Sequence, residues 1–314
     1  MKVIEHLDKA KEPLFSYEII PPLRGNTIRE LMKIVDQLKP YNPPFIDVTS
    51  HSAEIYYEED SNGVIRRIVK KKRPGTISIC GIIQNRYNID TVVHLLCQGF
   101  TREETEDALI ELNYLGIHNV LAIRGDKTNY KKTESNNRKV NIYAKELVSQ
   151  IRDINNGKYI DNIANAESMD YCIGVAGYPE KHFESPNLKS DIEYLKEKVD
   201  AGAEYIVTQM FFDNNQYFDF VNKCRRARID VPIIPGLKVL SSIKQLKSIP
   251  KKFYIDFPNE LVEEATNNSE HISEIGKAWT IRQCEELLNA GVPSIHFYIM
   301  NKIKPILEIV NKLK

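Results

Sequence analysis

Residues 171–209, YCIGVAGYPEKHFESPNLKSDIEYLKEKVDAGAEYIVTQ, decide the fold of this 314-residue chain. The stretch contains two short apolar runs, 171–176 and 205–209, with an amphipathic segment at 190–201 between them. Gly202 follows that segment, at the place where a residue in the left-handed region commonly ends a helix. Apolar runs of this kind are typical of parallel strands that helices cover. The stretch therefore predicts a strand, a helix and a second, parallel strand.

The same unit is repeated along the chain. Apolar, β-rich runs alternate with longer amphipathic segments, and strands are predicted at residues 14–20, 45–49, 90–96, 119–123, 171–176, 205–209, 232–237 and 294–298. Eight strand–helix units in about 300 residues fit one closed barrel better than an open sheet. We therefore predict an α/β protein that forms a single (β/α)₈ TIM barrel, with one domain over residues 1–314.

Helices are predicted between and after these strands, at residues 27–38, 101–115, 143–155, 190–201, 214–227, 241–248, 279–289 and 303–313. Residues 76–87 are ambiguous and are interpreted mostly as helix. Thr101 and Ser190 each precede a glutamate by three residues, which is the spacing of a capping box. Residues 250–275 are too many for a simple connection and are expected to cover the barrel mouth.

The composition excludes several classes of protein. Lys plus Arg equals Asp plus Glu at 43 each, so no net charge favours nucleic acid or an anionic membrane. The charged N-terminus has no apolar core of signal-peptide length, and no apolar run reaches the ~18 residues that a spanning helix needs. The five cysteines are scattered and never form a CxxC pair, which indicates a reducing compartment. We therefore expect a soluble, cytoplasmic protein without nucleic-acid or membrane partners.

Sequence motifs for several common sites are absent. No GxGxxG or GxxxxGK[ST] sequence occurs, which counts against a Rossmann dinucleotide site and a P-loop. No HxH, HExxH or clustered Asp/Glu set occurs either, so no metal site is expected.

Polar side chains stand at the ends of most predicted strands. In a (β/α)₈ barrel, catalytic groups lie at the C-terminal ends of strands and in the loops that follow. Seven of the eight strand ends carry hydrogen-bonding or titratable residues, among them Glu18, Thr49, His94, Arg124 with Gly125 and Asp126, Tyr178 with His182, Gln209 and Tyr298. This concentration at one face predicts a catalytic or binding site there.

Glu18 is the most unusual of these residues, because it lies inside the apolar run FSYEII at residues 15–20. Burial at that position would disfavour the ionised form and could keep a carboxylic acid protonated near neutral pH. A structural glutamate paired with Arg124 or with a backbone amide is an equally open interpretation.

Structural alternatives also stand beside the other candidates. The glycine before Asp126 permits close approach of the backbone to a ligand, but a simple turn fits the same residues. His94 and His182 would by default be structural histidines that make hydrogen bonds. Lys196 and Lys198 lie in a Glu/Lys-rich segment, where the pattern alone indicates a solvated surface.

Taken in order, these segments resemble the methylenetetrahydrofolate reductase family. FSYEIIPP at residues 15–22 is similar to the FEFFPP-type opening strand of that family, and the later segments follow in the same order: DVT (47–49), VHLLC (93–97), LAIRGD (121–126), GVAGYPE (174–180) with His182, LKEKVDAGA (195–203), IVTQMFFD (206–213), IIPGL (233–237) and HFY (296–298). The resemblance runs from residue 15 to about 302. It implies the short bacterial form, without the C-terminal regulatory domain of animal and plant enzymes.

This resemblance implies a flavoprotein with the barrel fold predicted above. Non-covalent FAD would contact Thr49, His94, Arg124, Gly125, Asp126, Ala176, Tyr178, His182, Asp191, Lys196 and Lys198, which reverses the interpretation of the two lysines. NADH or NADPH would reduce the flavin and leave. 5,10-Methylenetetrahydrofolate would then accept the hydride and become 5-methyltetrahydrofolate, which supplies methyl groups for methionine synthesis. A homo-oligomer is also implied.

The same resemblance implies roles for individual residues. Glu18 would protonate the departing N10 of the folate, so that the imidazolidine ring opens to a 5-iminium cation. Asp126 would lie near the flavin pyrimidine edge and the pterin, where a carboxylate favours the developing positive charge. Gln209 would pair with the pterin, and Tyr298 is a further candidate for substrate contact.

Two positions depart from the family pattern, and three other functions stay open. Ile243 stands where many bacterial relatives carry a phenylalanine, and Lys302 stands where the family carries an arginine, which affects recognition of the folate glutamate tail.

One alternative function is that of another flavin barrel, reduced by an amino acid. The others are a folate-binding barrel without catalysis and a reductase that takes electrons from a partner subunit.

Overall fold

A computed structural model describes residues 1–125, 130, 132, 138–300 and 303–314. The strands of these residues are β1 (Leu14–Ile19), β2 (Phe45–Val48), β3 (Ala53–Glu59), β4 (Ile65–Lys71), β5 (Asp90–Leu96), β6 (Asn119–Ile123), β7 (Cys172–Gly177), β8 (Tyr205–Thr208), β9 (Ile233–Ile234), β10 (Gly236–Leu237) and β11 (Ser294–Met300). The helices are α1 (Val3–Lys9), α2 (Arg29–Leu38), α3 (Thr76–Ile82), α4 (Arg102–Tyr114), α5 (Ala144–Asn155), α6 (Leu188–Asp200), α7 (Asn214–Arg226), α8 (Gln245–Phe253), α9 (Asn259–Asn267), α10 (Ile272–Asn289) and α11 (Lys304–Leu313).

Parallel strands form the barrel, in the order β10-β11-β1-β2-β5-β6-β7-β8-β9. β9 and β10 are two halves of one extended segment, separated by Pro235, which has no N–H to donate. The Pro235 carbonyl oxygen accepts a hydrogen bond from the His296 N–H at 2.9 Å. Because this segment pairs with β8 on one side and β11 on the other, the sheet closes. All eight strands predicted from the sequence are present, and the prediction of a (β/α)₈ barrel is confirmed.

Apolar side chains fill the space around the barrel and the lower part of its lumen. Side chains alternate along each strand, so one set faces the helices and the other faces the lumen. The outer set includes Ile46, Val93 and Phe297. The lower lumen is filled by Phe45, Val92, Leu121, Cys172, Tyr205, Val207 and Ile234. The upper lumen carries polar groups instead.

Helix α1 packs against the N-terminal end of the barrel and was not predicted from the sequence. Val3 is fully buried against the lower lumen. The Val3 N–H donates to Asn119 Oδ1 at 2.8 Å, and Asp90 accepts from the amino terminus and from His6, both at 2.7 Å. α1 therefore covers the lower lumen, at the end of the barrel opposite to the predicted site.

A hairpin of β3 and β4 stands apart from the barrel sheet, and it was not predicted either. Its turn contains Asn62-Gly63, a dipeptide typical of hairpins, and Gly63 has φ +76°. Most of its residues are exposed, so the alternation of buried and exposed residues that reveals a half-buried strand is missing here.

Capping boxes were predicted at the N-termini of two helices, and one of the two predictions is confirmed. Thr101 forms the capping box with Glu104, because its Oγ1 accepts from the Glu104 N–H at 3.1 Å and its own N–H donates to Glu104 Oε2 at 2.8 Å. The second capping prediction is wrong. α6 begins at Leu188, so Asn187 is the cap, and its side chain accepts from the Ser190 N–H at 2.9 Å.

Residues 250–275 lie beside the C-terminal ends of β8 and β10. The segment contains the end of α8, the unpredicted helix α9 and the start of α10. Its apolar side chains pack on Met210, Phe212 and Leu240, which follow those two strands. Residues 76–87 form α3 and one wider helical turn ahead of β5, as predicted.

Candidate active site

A row of polar side chains crosses the upper lumen of the barrel. Glu18 of β1 lies opposite Asp47 of β2 and opposite Tyr298 of β11 in the register of the sheet. His94 of β5 comes two residues after Val92, which pairs with Asp47, so its side chain is on the same face of the sheet. The strands thus bring two carboxyl groups, an imidazole and a phenol together from distant parts of the chain.

Glu18 is buried in this row, with 14% of its side chain exposed. Its Oε2 lies 3.7 Å from His94 Nε2. Burial is the largest influence and raises the pKa of Glu18 to about 7; Asp47 adds to the rise, whereas His94 and Lys238 oppose it. A carboxyl group with this pKa is partly protonated at neutral pH and can donate a proton to a ligand.

The surroundings shift the pKa values of two histidines of the lumen in opposite directions. His94 Nε2 lies 3.3 Å from Asp47 Oδ2. Burial lowers the pKa of His94, but its hydrogen bond to Asp47 and the charges of Glu18 and Asp47 outweigh burial and raise this pKa. His296, whose Nδ1 lies 2.9 Å from Ser16 Oγ, has a pKa that burial lowers. Relative to a free histidine, the surroundings therefore shift His94 toward the imidazolium form and His296 toward the neutral form.

Asp47 and Lys238 belong to this site, although the sequence analysis did not single them out. Asp47 Oδ1 makes no hydrogen bond within the described part of the chain and lies 4.0 Å from His296 Nδ1. Lys238 directly follows β10 and is 7% exposed. Both carry the signal that revealed Glu18, namely a charged residue inside or at the end of an apolar run.

A cleft of about 430 Å³ opens at the same end of the barrel, between the ends of β6 and β7 and helices α5 and α6. A cleft of this volume is in the range of small-molecule sites. Six of the residues that the family resemblance assigned to FAD line it, namely Arg124, Ala176, Tyr178, His182, Asp191 and Lys198. Its other lining residues include Lys145, Glu184 and Tyr194, which were not predicted.

Three cationic side chains from different elements line the cleft, and two of them, Arg124 and Lys198, were predicted to contact FAD. Lys198 Nζ donates to the carbonyl oxygen of Ala176 at 2.6 Å. Burial lowers the pKa of Lys198 to about 8, although Asp191 opposes this shift. Arg124 forms an ion pair with Glu184. The alternative in which Arg124 pairs with Glu18 is therefore not formed in the structure.

Asp191, in the first turn of α6, holds the loop that follows β7. Its carboxylate accepts from the His182 N–H at 3.1 Å and from Ser185 Oγ at 2.7 Å. The rings of Tyr178 and His182 meet edge to face, with their centroids 4.8 Å apart. Burial lowers the pKa of His182, which favours its neutral form. The loop thus presents two flat polar rings to the cleft.

Lys196 is a predicted FAD contact on α6 that does not line the cleft. It forms an ion pair with Asp200, one turn further along α6. Residues two apart in a helix point in directions that differ by about 200°. Lys196 and Lys198 therefore lie on opposite faces of α6, and only Lys198 lines the cleft.

The other predicted residues lie around the barrel mouth outside this cleft. Thr49 Oγ1 is 3.3 Å from His51 Nε2. Gln209 Oε1 accepts from the Met210 N–H at 2.9 Å, so this amide is folded over its own turn. The Tyr298 hydroxyl donates to a backbone carbonyl oxygen at the end of β8 at 2.6 Å.

Gly125 has φ +89°, a backbone conformation that other residues rarely adopt. A positive φ is compatible with both interpretations from the sequence, a close approach of the backbone to a ligand and a simple turn. Asp126 follows it and lies outside the described residues, as does Lys302. Ile243 is described and lies exposed between β10 and α8.

Three further observations concern the described residues as a set. No three His, Cys, Asp or Glu side chains among them are grouped so that they could hold a metal ion. Their helices include none with the length and apolar character needed to span a bilayer. All five cysteines are described, and they are buried and unpaired.

The fold and the site together define a class of protein. A (β/α)₈ barrel with a protonatable carboxyl group in its upper lumen and a cleft at the same end has the architecture of barrels with a site at the C-terminal ends of their strands. The sequence profile of the family described as methylenetetrahydrofolate reductase matches residues 2–314. The chain belongs to the methylenetetrahydrofolate reductase family.

Individual relatives agree with this assignment. The chain is 32% identical over 316 residues to methylenetetrahydrofolate reductase 1 of Schizosaccharomyces pombe. This alignment covers 98% of the chain and 47% of the relative. It is 29% identical to the 5,10-methylenetetrahydrofolate reductase of Pectobacterium carotovorum, in an alignment that covers 91% of the chain and 85% of the relative. The chain spans about half the length of the eukaryotic relatives that it matches.

A solved structure has a similar fold. It is an uncharacterised protein from Clostridium thermocellum that binds two copies of 5-methyl-5,6,7,8-tetrahydrofolic acid. The TM-score is 0.62 at 14% identity, with 99% of this chain and 98% of the other covered. At this sequence identity, the similarity shows a shared fold only.

Proposed function

We propose that this chain is an FAD-dependent reductase, which converts 5,10-methylenetetrahydrofolate to 5-methyltetrahydrofolate with NADH or NADPH. Family membership supplies the reaction, and the observation that carries the proposal is Glu18. Its carboxyl group has a pKa of about 7, faces the lumen and lies at the end of the barrel where the cleft opens. The product would serve as a methyl donor for methionine synthesis.

The residues of the cleft fit a flavin dinucleotide. Ala122, Ile123 and Ala176 provide an apolar wall, and Arg124 and Lys198 provide cations that can bind a pyrophosphate. The hydrogen bond described for Lys198 goes to a neutral carbonyl oxygen, so an anion beside it would favour its charged form. Bound FAD would supply the redox chemistry, by taking two electrons from the nicotinamide and passing them to the folate.

Glu18 is the residue that handles the proton in this proposal. Its carboxyl group gives a proton to N10 of the folate, the bond from N10 to the methylene carbon breaks, and the positive charge moves to N5. The carboxylate that remains on Glu18 is stabilised by the charge of His94, which lowers its pKa. Burial in the lumen limits exchange of this proton with water.

The proposal keeps three further roles from the family resemblance. Asp126 tunes the flavin and stabilises the cation, and Gln209 pairs with the pterin once its amide leaves the turn on which it is folded. Tyr298 lies beside Glu18 in the sheet register, and burial raises the pKa of its phenol, so it remains a hydrogen-bond donor.

The visible spectrum of the purified protein tests the proposal. We expect a flavin spectrum that bleaches on anaerobic addition of NADH or NADPH and returns when methylenetetrahydrofolate is added. Bleaching by an amino acid in place of a nicotinamide would indicate a different flavin barrel. A colourless protein that binds folate would indicate a binding subunit. A third outcome is a flavin that is reduced by dithionite but not by nicotinamides, and that folate then reoxidises. This outcome would indicate that a partner protein donates the electrons.

A further inference from the structure

Lys238 lies at the end of the split strand β9–β10, with its side chain in the lumen. Leu237 and Val239 on either side of it belong to the apolar core between the sheet and the helices. Because side chains alternate along an extended segment, Lys238 points the other way. Gly236 also faces the lumen, since a Cβ atom there would lie 2.6 Å from the Tyr298 ring. Lys238 is only 7% exposed.

The sheet register brings Lys238 to the same row as Glu18. Leu237 pairs with Phe297 of β11 in the last pair of these two strands, and Lys238 and Tyr298 are the residues that follow on the two sides. Tyr298 in turn pairs with Glu18 of β1. The ammonium group of Lys238 lowers the pKa of Glu18, and the carboxylate of Glu18 raises the pKa of Lys238.

The burial of Lys238 is unfavourable for folding. Within the described ranges, no carboxylate oxygen lies within 4.0 Å of its ammonium group. Burial lowers its pKa to about 8. A buried cation without an ion-pair partner destabilises a protein, and an apolar side chain of the same length would pack there without that penalty. A role in the site accounts for the lysine better than packing does.

Other charged groups around Glu18 do not replace Lys238. Among the residues that the structure describes, the titratable groups that face the lumen around Glu18 are Asp47 of β2, His94 of β5, His296 and Tyr298 of β11, and Lys238. His94 is hydrogen-bonded to Asp47, so its positive charge is opposed directly by a carboxylate. Among the described residues of this row, Lys238 is the cation without a hydrogen-bonded carboxylate.

We propose that Lys238 is a positioning residue for the proton transfer, and that its ammonium group stabilises the Glu18 carboxylate that remains after the folate has taken the proton. This inference rests on the proposed function and deepens it. The proton goes from Glu18 to N10, the bond from N10 to the methylene carbon breaks, and the negative charge stays on Glu18, in the row that it shares with Lys238. Without the ammonium group, Glu18 would hold its proton more tightly and release it more slowly.

The test compares neutral and charged replacements of Lys238. The rate at which methylenetetrahydrofolate reoxidises the reduced enzyme is measured against pH for Lys238→Met, Lys238→Arg and the exposed matched control Lys244→Met. The reaction requires protonated Glu18, so its rate falls as the pH rises through the pKa of Glu18. Loss of a neighbouring cation raises that pKa.

We expect Lys238→Met to lower the rate at low pH about tenfold. The pH at which the rate falls should rise by roughly one unit, because the pKa of Glu18 is raised. Lys238→Arg, which keeps the charge, and Lys244→Met should keep the wild-type profile. The pH dependence of flavin reduction by the nicotinamide should be the same in all variants. Lys238→Gln serves as a second neutral variant, with circular dichroism to verify that each protein is folded.

An infrared titration without substrate separates this inference from the proposed function. In protein labelled with ¹³C-glutamate, the Glu18 carboxyl band is assigned by its loss in Glu18→Gln. We expect that band to titrate at higher pH in Lys238→Met and Lys238→Gln. An unchanged titration in folded variants overturns the inference. A wild-type protein that folate does not reoxidise contradicts the proposed function, and the titration still decides whether Lys238 controls Glu18.

Discussion

At the scale of single residues, burial and neighbouring charges compete for the proton of Glu18. Burial favours the neutral carboxyl group, and so does Asp47, which faces it across β1 and β2. His94 and Lys238 favour the carboxylate. Burial prevails, but only far enough to bring the pKa to about 7. Glu18 can therefore both hold and release a proton near neutral pH.

Glu18→Gln is expected to abolish nearly all folate reduction, because an amide cannot supply the proton that N10 needs. Rapid-mixing absorbance measurements would follow the two half-reactions separately. Flavin content and flavin reduction by NADH or NADPH should be retained. In the wild type, folate reduction should fall as the pH rises through about 7, and the residual rate of the variant should lack this dependence. Folate turnover within about threefold of the wild type would show that Glu18 is not the acid.

Lys198→Met is expected to weaken FAD binding about tenfold or more, because the ammonium group that lines the cleft is lost. Lys196→Met is the matched variant, since Lys196 pairs with Asp200 on the opposite face of α6 and should change FAD affinity less than about twofold. Flavin fluorescence during titration of the apoprotein measures both. Equal losses in the two variants would contradict the orientation of α6 described above.

At the scale of elements, the segment after β10 is held in place by helix α10. Gly276, in the first turns of α10, lies directly against the backbone of Leu240. Leu240 is two residues beyond Lys238, and its side chain packs with residues of α8 and α9. The close approach of α10 therefore helps to fix the part of the chain that carries Lys238.

Gly276→Ala is expected to destabilise the protein by about 1–3 kcal/mol. The new Cβ atom would overlap the Leu240 carbonyl oxygen and lie 2.7 Å from the carbonyl carbon, which outweighs the gain of about 1 kcal/mol in helix propensity. Gly81→Ala in α3 is the matched control, because its Cβ atom would meet only the flexible end of Leu115, at 3.1 Å. Urea unfolding measures both, and equal stability of Gly276→Ala and the wild type would rule out the tight contact.

At the scale of the whole molecule, the lumen is divided into two halves. Apolar side chains and α1 fill the lower half, whereas the upper half holds Glu18, Asp47, His94 and Lys238. Buried charged groups lower the stability of a fold, and they are concentrated here at the end where ligands would enter. Stability and function are therefore in opposition in the upper lumen.

Lys238→Met is expected to raise the free energy of unfolding at pH 7 by on the order of 1–3 kcal/mol, measured by urea unfolding without cofactor. A lysine with a lowered folded-state pKa reduces stability wherever it is charged in the folded protein. The wild type should gain stability as the pH rises from about 8, where folded Lys238 loses its proton, toward its ordinary pKa of 10.5. The advantage of the variant should shrink over that window. A variant less stable than the wild type at pH 7 would contradict this account.

Local patterns in the sequence determined the order of strands and helices and the candidate acid. Apolar runs, helix-ending glycines and a glutamate inside the run FSYEII can all be recognised within a few residues. The exposed hairpin of β3 and β4 and the short helix α1 were missed, because neither has a long apolar face. Asp47 carried the same local signal as Glu18, but a single charged residue does not reveal which other charges it will meet.

Only the tertiary structure decided which of these residues act together. Glu18 and Asp47 lie on two strands and Lys238 directly follows a third, and the closed parallel sheet brings these distant parts of the sequence together. The tertiary structure also distinguishes Lys196 from Lys198, because the packing of α6 on the barrel decides which face of the helix lines the cleft. Hydrophobic periodicity is local and can be predicted from sequence, whereas the pKa of a buried group depends on contacts that form only when the barrel closes.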